Sequence, residues 1–265
     1  MTSNTIKWIV QKNLIKPSLL AEFRAAFAEL QIDFEEITVI PFSQELPEFS
    51  PADVNVFYGS STLMLNAWEH PRFRNGLFFN PHDFTIENYL KRWGNKMLNS
   101  DGIIAPLGTF VEKLTDSEVN WFLRPNGDDK SFSGMIMSTS DIRKWYSSIN
   151  SGDSPIVNSD VVVLGAPVKE IVREWRNFIV NCRVVDSSRY MLNGQKDVSR
   201  EDVPKEMIDF AENCAREYSP HRIFVLDVAE TRAGYKIIEC NCFNGTGFYD
   251  NDVKEIVSKV TAAAK

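Results

Sequence analysis

Residues 223–250, IFVLDVAETRAGYKIIECNCFNGTGFYD, form two apolar-rich runs around TRAG, the pattern of an antiparallel strand pair that breaks up on glycines. Such a pair belongs in a core, yet it carries Asp227 among isoleucine, phenylalanine, valine and leucine. In the second strand Glu239 and Asn241 stand two residues apart and so share a face. The number of residues in the turn decides whether Asp227 lies opposite or diagonal to Glu239, and either register gathers three oxygen-bearing side chains. Two carboxylates at that range repel and lose hydration, which costs several kcal/mol unless a cation sits between them. Oxygen-only donors suit Mg2+, which keeps open positions for water and phosphate. The plainer alternative pairs Asp227 with an arginine and leaves Glu239 facing water at a strand end.

The 265 residues suffice for one large domain or two modest ones, and 43% are hydrophobic, enough for a substantial core. The net charge of -7 arises from 36 acidic against 29 basic residues with no block of like charge. No basic stripe is present for nonspecific nucleic-acid binding, so DNA and RNA are disfavoured as partners while a small nucleotide is not. No apolar run at the N-terminus suits a signal peptide and none reaches the ~20 residues of a membrane span, so a soluble, cytoplasmic protein is expected. Cys240 and Cys242 form CxC, but Cys182 and Cys214 make no second pair and His70, His82 and His221 are scattered, which favours reduced, inert thiols over zinc.

Along the chain, TIKWIVQ, FEEITVIPF and DVNVFYGS read as strands, with a helix in SLLAEFRAAFAELQI after a serine cap. STLMLNAWEH predicts a short helix and GLFFNPHD a strand leaving this small α/β unit, which spans residues 1–83. Residues 84–99 predict a helix, followed by strands at IIAPLGTF, NWFLRPN and VVVLGAP and a helix at DIRKWYSSI. Two β-hairpins follow, separated by a helix that starts near Pro204, and DVKEIVSKVTAAAK closes the chain as a helix.

The first hairpin, EWRNFIVNCRVVDSSRY, places Glu174 opposite Arg189 and Arg176 opposite Ser187 if Asn181 and Cys182 make the turn. Both arginines then share one face, suited to bidentate capture of phosphate or carboxylate; a merely structural Glu174–Arg189 salt bridge is the competing reading. NWFLRPNGDDKSFSG carries Arg124 on a strand and Lys130 in a Gly- and Asp-rich connection, either a lid over phosphates or a solvated turn. It matches neither a P-loop nor a dinucleotide fingerprint.

In this order, LRPNGDDKSFSG, VVVLGAPVKEIVREWRNFIVNCRVVDSSRY and FVLDVAETRAGYKIIECNCFNGTGFY resemble the RimK-like clade of the ATP-grasp superfamily found in bacteria and phages, over roughly residues 85–260. The resemblance implies a mixed α/β and α+β architecture: an N-terminal α/β domain, then a two-lobed ATP-grasp fold with antiparallel sheets, the lobes at about 84–166 and 167–265. It implies Mg2+ on Asp227, Glu239 and Asn241, and ATP gripped by Arg124 and Lys130, with Arg176 stabilising the transferred phosphate and Arg189 as a second site arginine. VVVLGAPVKEI would be the hinge beside adenine, with Val163 and Leu164 as apolar neighbours and Lys169 nearby. Arg124 stands where many family members have lysine, and the first-lobe lysine is missing from any recognisable motif, leaving Lys91 and Lys96 as candidates. The implied activity is an ATP-dependent carboxylate-amine ligase acting through an acylphosphate, on small-molecule or peptide substrates carrying those groups. The alternatives are a phosphotransferase and a nucleotide-binding module without turnover. Residues 1–83 carry no motif that names the substrate, and Trp8, Phe57, Tyr58 and Trp68 read as core.

Overall fold

The first alternating run forms β1 (Ile6–Gln11), which lies between β2 (Asp33–Ile37) and β3 (Val54–Tyr58) in a three-stranded parallel sheet. The structure is a computed structural model and describes residues 5–41, 43–127, 132–151 and 159–265. Helix α1 (Pro17–Leu30) crosses from β1 to β2 and buries Leu20, Phe23, Ala26 and Phe27, an i, i+3, i+6, i+7 stripe. Its cap differs from expectation: Lys16 occupies the N-cap without a side-chain bond, and Pro17, rather than a serine cap, sets the first turn. Helix α2 (Ser61–Trp68) does have a serine cap, Ser60 accepting from the Leu63 N–H.

GLFFNPHD is not a strand. After a 3-10 turn at Pro71–Gly76 the chain runs irregularly, with Leu77, Phe78 and Phe79 buried. Its Phe78 N–H finds the side chain of Asn244 instead of a ladder partner. Helix α3 (Ile86–Trp93) is half the length expected because Gly94 takes φ 51 and turns the chain into a 3-10 segment.

A four-stranded antiparallel sheet follows, built from β4 (Ile103–Pro106), β5 (Asn120–Pro125), β6 (Met135–Ser138) and β7 (Val162–Pro167) in the order β4-β7-β5-β6. Helices α4 (Leu107–Glu112) and α5 (Thr139–Asn150) cover it; α4 takes the second half of a segment expected to be strand. The larger sheet is antiparallel in the order β10-β9-β8-β11-β12, made of β8 (Arg173–Val180), β9 (Arg183–Leu192), β10 (Gln195–Ser199), β11 (Ile223–Thr231) and β12 (Gly234–Asn241). Helix α6 (Lys205–Glu217) lies between β10 and β11 in sequence, and α7 (Val253–Ala264) ends the chain.

The two faces of the large sheet bury different partners. Trp175, Ile179, Phe224, Leu226 and Val228 pack with residues of α3 and α6. On the other face Phe178, Val180, Ile223 and Val225 share a core with Trp8, Phe23 and Tyr58 of the N-terminal unit and with α7. Each large apolar side chain so buried contributes roughly 1.5–3 kcal/mol, and the Trp8 Nε1–H donates to Thr261 Oγ1 at 2.9 Å across this join. The N-terminal unit is thereby held over one end of the sheet face, leaving the other end, around Asp227, to the small sheet. Among the described residues no helix is long and apolar enough to cross a membrane.

His221 lies in this join, its ring 5.4 Å from Phe78 and its Nδ1 accepting from the Ile223 N–H at 3.3 Å. Burial, helped by Arg222, pushes its pKa down from 6.5 to about 4. The folded state therefore resists a proton that the unfolded chain takes up, and stability is lost as pH falls from 6.5 towards 4. Urea unfolding should show about 2 kcal/mol less stability from this group at pH 5 than at pH 7, a component absent from His221→Asn.

Candidate functional site

Two steps in strand register decide which side chains meet. In β11 and β12 the pairing runs Thr231 with Gly234 through Val228 with Ile237, then steps by one so that Asp227 faces Glu239 and Val225 faces Asn241. Without the step Asp227 would face Ile238 and the two carboxylates would lie on opposite faces. Asp227 also faces Arg176 on β8, so Arg176, Asp227, Glu239 and Asn241 share one face of the sheet. The three oxygen-bearing residues expected to converge do so.

Their contacts form a chain of charges. Arg176 grips Asp227 with two bonds, Nε to Oδ1 at 2.9 Å and Nη2 to Oδ2 at 2.6 Å, and donates through Nη1 to the Gly247 carbonyl at 2.9 Å. Asn241 Nδ2 donates to Glu239 Oε1 at 2.8 Å, while Arg124 arrives from β5 of the small sheet and donates to Glu239 Oε2 at 2.6 Å. Asp227 is 1% exposed, and burial pushes its carboxyl up to about 6 against the pull of Arg176. Burial alone would lower Arg176, but Asp227 outweighs it and raises the guanidinium further, so it stays charged.

The other register steps, in β8 and β9, correct the expectation for Arg189. The pairing shifts between Ile179 and Phe178, so Arg189 faces Trp175 and Arg176 faces Ser188. The two arginines therefore lie on opposite faces of the sheet. Arg189 is bound to Asp197 at 2.8 Å and to Asp202, which also pairs with Arg173 at 2.7 Å, an ion-pair network away from Asp227. Glu174 faces Met191 rather than Arg189. A second step between Trp175 and Glu174 brings Tyr190 to the Arg176 side: its hydroxyl donates to Glu174 Oε2 at 2.7 Å, and its ring stacks on Tyr249 at 4.7 Å and 11°. The Arg176 guanidinium lies 5.7 Å from the Tyr190 ring and 4.9 Å from the Tyr249 ring. Burial raises the Glu174 carboxyl, partly offset by the Tyr190 hydroxyl.

Between the two sheets lies a cavity of about 450 Å3, apolar at Leu98, Phe122, Met135, Ile136, Ile171 and Ile238, with Glu174 and Lys169 at its polar parts. Lys169 forms an ion pair with Asp101. Val163 and Leu164 do not line this cavity: both are buried, Val163 in the small lobe's core, and the chain meets the cavity a few residues later at Val168–Ile171. Lys91 pairs with Glu87 on its own helix at 2.8 Å and Lys96 with Glu217, and neither lines the cavity. Lys130 lies outside the described residues.

Sequence reasoning missed Asn244, Tyr190, Tyr249 and Glu174. Asn244 sits in FNGTG, where the glycines drew attention; it is fully buried and bonded to three backbone groups of the N-terminal unit. Its signal was a polar residue flanked by Phe243 and Gly245 directly after a core strand.

Among the described residues no group of three or more His, Cys, Asp or Glu side chains gathers as a metal cluster. The donors at this site are two carboxylates and one amide, all oxygen, which fit a hard cation that takes its remaining ligands from water and phosphate. Two guanidinium groups supply the positive charge the carboxylates need. Cys240 and Cys242 are buried, and the Cys242 Sγ lies 3.2 Å from the Met64 Sδ.

No curated protein matches the chain in sequence. Several solved structures match its fold over nearly its full length. The ATP-grasp ligase PsnB, complexed with a precursor peptide and AMPPNP, shares 10% identity over 99% of this chain and 98% of its own, with a TM-score of 0.58. A RimK-domain ATP-grasp protein from Sphaerobacter thermophilus shares 9% identity over 97% of both chains at a TM-score of 0.59. A D-alanine–D-alanine ligase from Bacillus anthracis shares 9% over 98% and 97%, also at 0.59. At these identities the likeness establishes the fold. The sequence profile of an ATP-grasp domain, family 3 of a RimK-like clade, matches residues 86–260, and the chain belongs to that family.

Proposed function

We propose that the chain is an ATP-dependent ligase that joins a carboxylate to an amine through an acylphosphate, with ATP held between the small and large sheets. The observation that carries this reading is the convergence of Asp227, Glu239, Asn241 and Arg176 on one sheet face, met by Arg124 from the facing lobe beside an apolar cavity. Bound to Asp227, Glu239 and Asn241, Mg2+ would neutralise phosphate oxygens as the γ-phosphoryl leaves. The cavity would take the base, and Lys169 and Glu174 offer it polar contacts. Arg176, fixed by Asp227 and the Gly247 carbonyl, is preset to stabilise charge on the transferred group, and Arg124 is within reach of the same space. Lys130, as the lid residue, completes the grip.

Positioning and electrostatics would carry the chemistry without a protein nucleophile. The neighbours include a ligase solved with a peptide and one named for D-alanine, and for this chain we propose a small-molecule or peptide substrate pair in the cytoplasm. Residues 1–83 would shape substrate choice, with nucleotide lobes at about 84–166 and 167–265.

The test supplies Mg2+, ATP and a panel of amino acids and short peptides, and measures ADP, phosphate and coupled product by mass spectrometry. A ligase releases ADP and phosphate only when both an acid and an amine are present. Phosphate retained on a single acceptor would favour a phosphotransferase, and nucleotide binding without ADP release across the panel would favour a non-catalytic module.

A further inference from the structure

We infer that the Arg124–Glu239 pair makes the site admit nucleotide only as its metal complex, so that Glu239 rejects metal-free nucleotide as well as serving the metal. The inference rests on the nucleotide reading above. Arg124 and Glu239 belong to different lobes, and their 2.6 Å bond crosses the gap that a triphosphate would enter from the cavity. The other Glu239 oxygen accepts from Asn241, and Asp227 is held by both prongs of Arg176. The four ionised groups are two cations and two anions, largely withdrawn from water: their side chains are 15% exposed for Arg124, 24% for Glu239, 11% for Arg176 and 1% for Asp227.

The closed charge count sets the order of events. A triphosphate arriving alone must draw Arg124 off Glu239, which breaks a charge-assisted bond and leaves a half-buried carboxylate unpaired beside the incoming anion. A divalent cation arriving with the nucleotide replaces Arg124 at Glu239, and the freed guanidinium turns to the phosphates with charge balanced throughout. Glu239 is thus a specificity-determining residue, and Arg124 is the group it holds back.

The experiment titrates the full chain with ADP by calorimetry, in Mg2+ or in EDTA. Wild type should bind ADP in Mg2+ and far more weakly in EDTA. Glu239→Gln keeps the shape and frees Arg124, so metal-free ADP should bind about tenfold more tightly than to wild type. That gain should shrink to less than about twofold when Glu239→Gln is made in an Arg124→Gln background, because the gain needs the freed guanidinium. Glu239→Ala serves as a second variant, with the same expectation. Absence of the gain, or its persistence without Arg124, overturns the inference; persistence would reveal only the removal of a negative charge. If wild type binds no ADP even with Mg2+, the nucleotide reading itself fails, a distinct outcome.

Discussion

Asp227→Asn is expected to lower turnover by roughly a thousandfold and to destabilise the fold by about 3 kcal/mol. The two effects have different origins. Asparagine offers one neutral oxygen where the site needs an anionic ligand, so the loss in turnover is a loss of charge stabilisation. The stability loss comes from Arg176, whose largely buried guanidinium gives both Nε and Nη2 to this carboxylate and would keep the Gly247 carbonyl and a 3.8 Å approach to Glu239. Removing both members of the pair separates the origins. The double variant Asp227→Asn/Arg176→Gln should recover most of the stability in urea unfolding and none of the turnover. A single variant that unfolds like wild type would mean that the buried pair is not formed as described.

Asn244→Ala should cost about 4 kcal/mol, read as a large drop in the urea midpoint, because one side chain satisfies three buried backbone groups. Its Oδ1 accepts from the Phe78 N–H at 2.7 Å, and its Nδ2 donates to the Phe57 carbonyl at 2.6 Å and the Gly76 carbonyl at 3.1 Å. Alanine leaves all three without a partner in an apolar join. Asn244→Asp should not rescue, since it retains the acceptor but sets a carboxylate against two carbonyl oxygens. The residue ties the end of β12, three residues past Asn241, to the N-terminal unit, so its loss should also loosen the wall of the site formed by residues 244–249.

What could be read in advance followed from periodicity. Alternation located the strands that carry Arg176, Asp227 and Glu239, and residue chemistry marked the last two as needing a cation. What could not be read followed from single-residue steps in register, to which a period of two is blind. One step, at Ile238, brings Glu239 onto the face of Asp227; another, between Phe178 and Ile179, sends Arg189 to the opposite face; a third brings Tyr190 round to Arg176. Val163 and Leu164 show a different limit. A hinge strand buried on both sides looks the same in sequence whether its side chains meet a ligand or a core, and here Val163 belongs to the small lobe's core while the cavity is met from Val168 onward. Asn244 was hidden because its role depends on three backbone groups more than 160 residues away in sequence.

Asp227, Glu239 and Asn241 should together gather one ion and one triphosphate between the two lobes, and a crystal structure with Mg2+ and a non-hydrolysable ATP analogue tests this most directly. The expected result is an ion touching those three side chains, Arg124 turned from Glu239 to the phosphates, and the base in the cavity beside Phe122 and Ile238. A nucleotide bound elsewhere, or an ion that leaves Asp227 and Glu239 locked to their arginines, would contradict it.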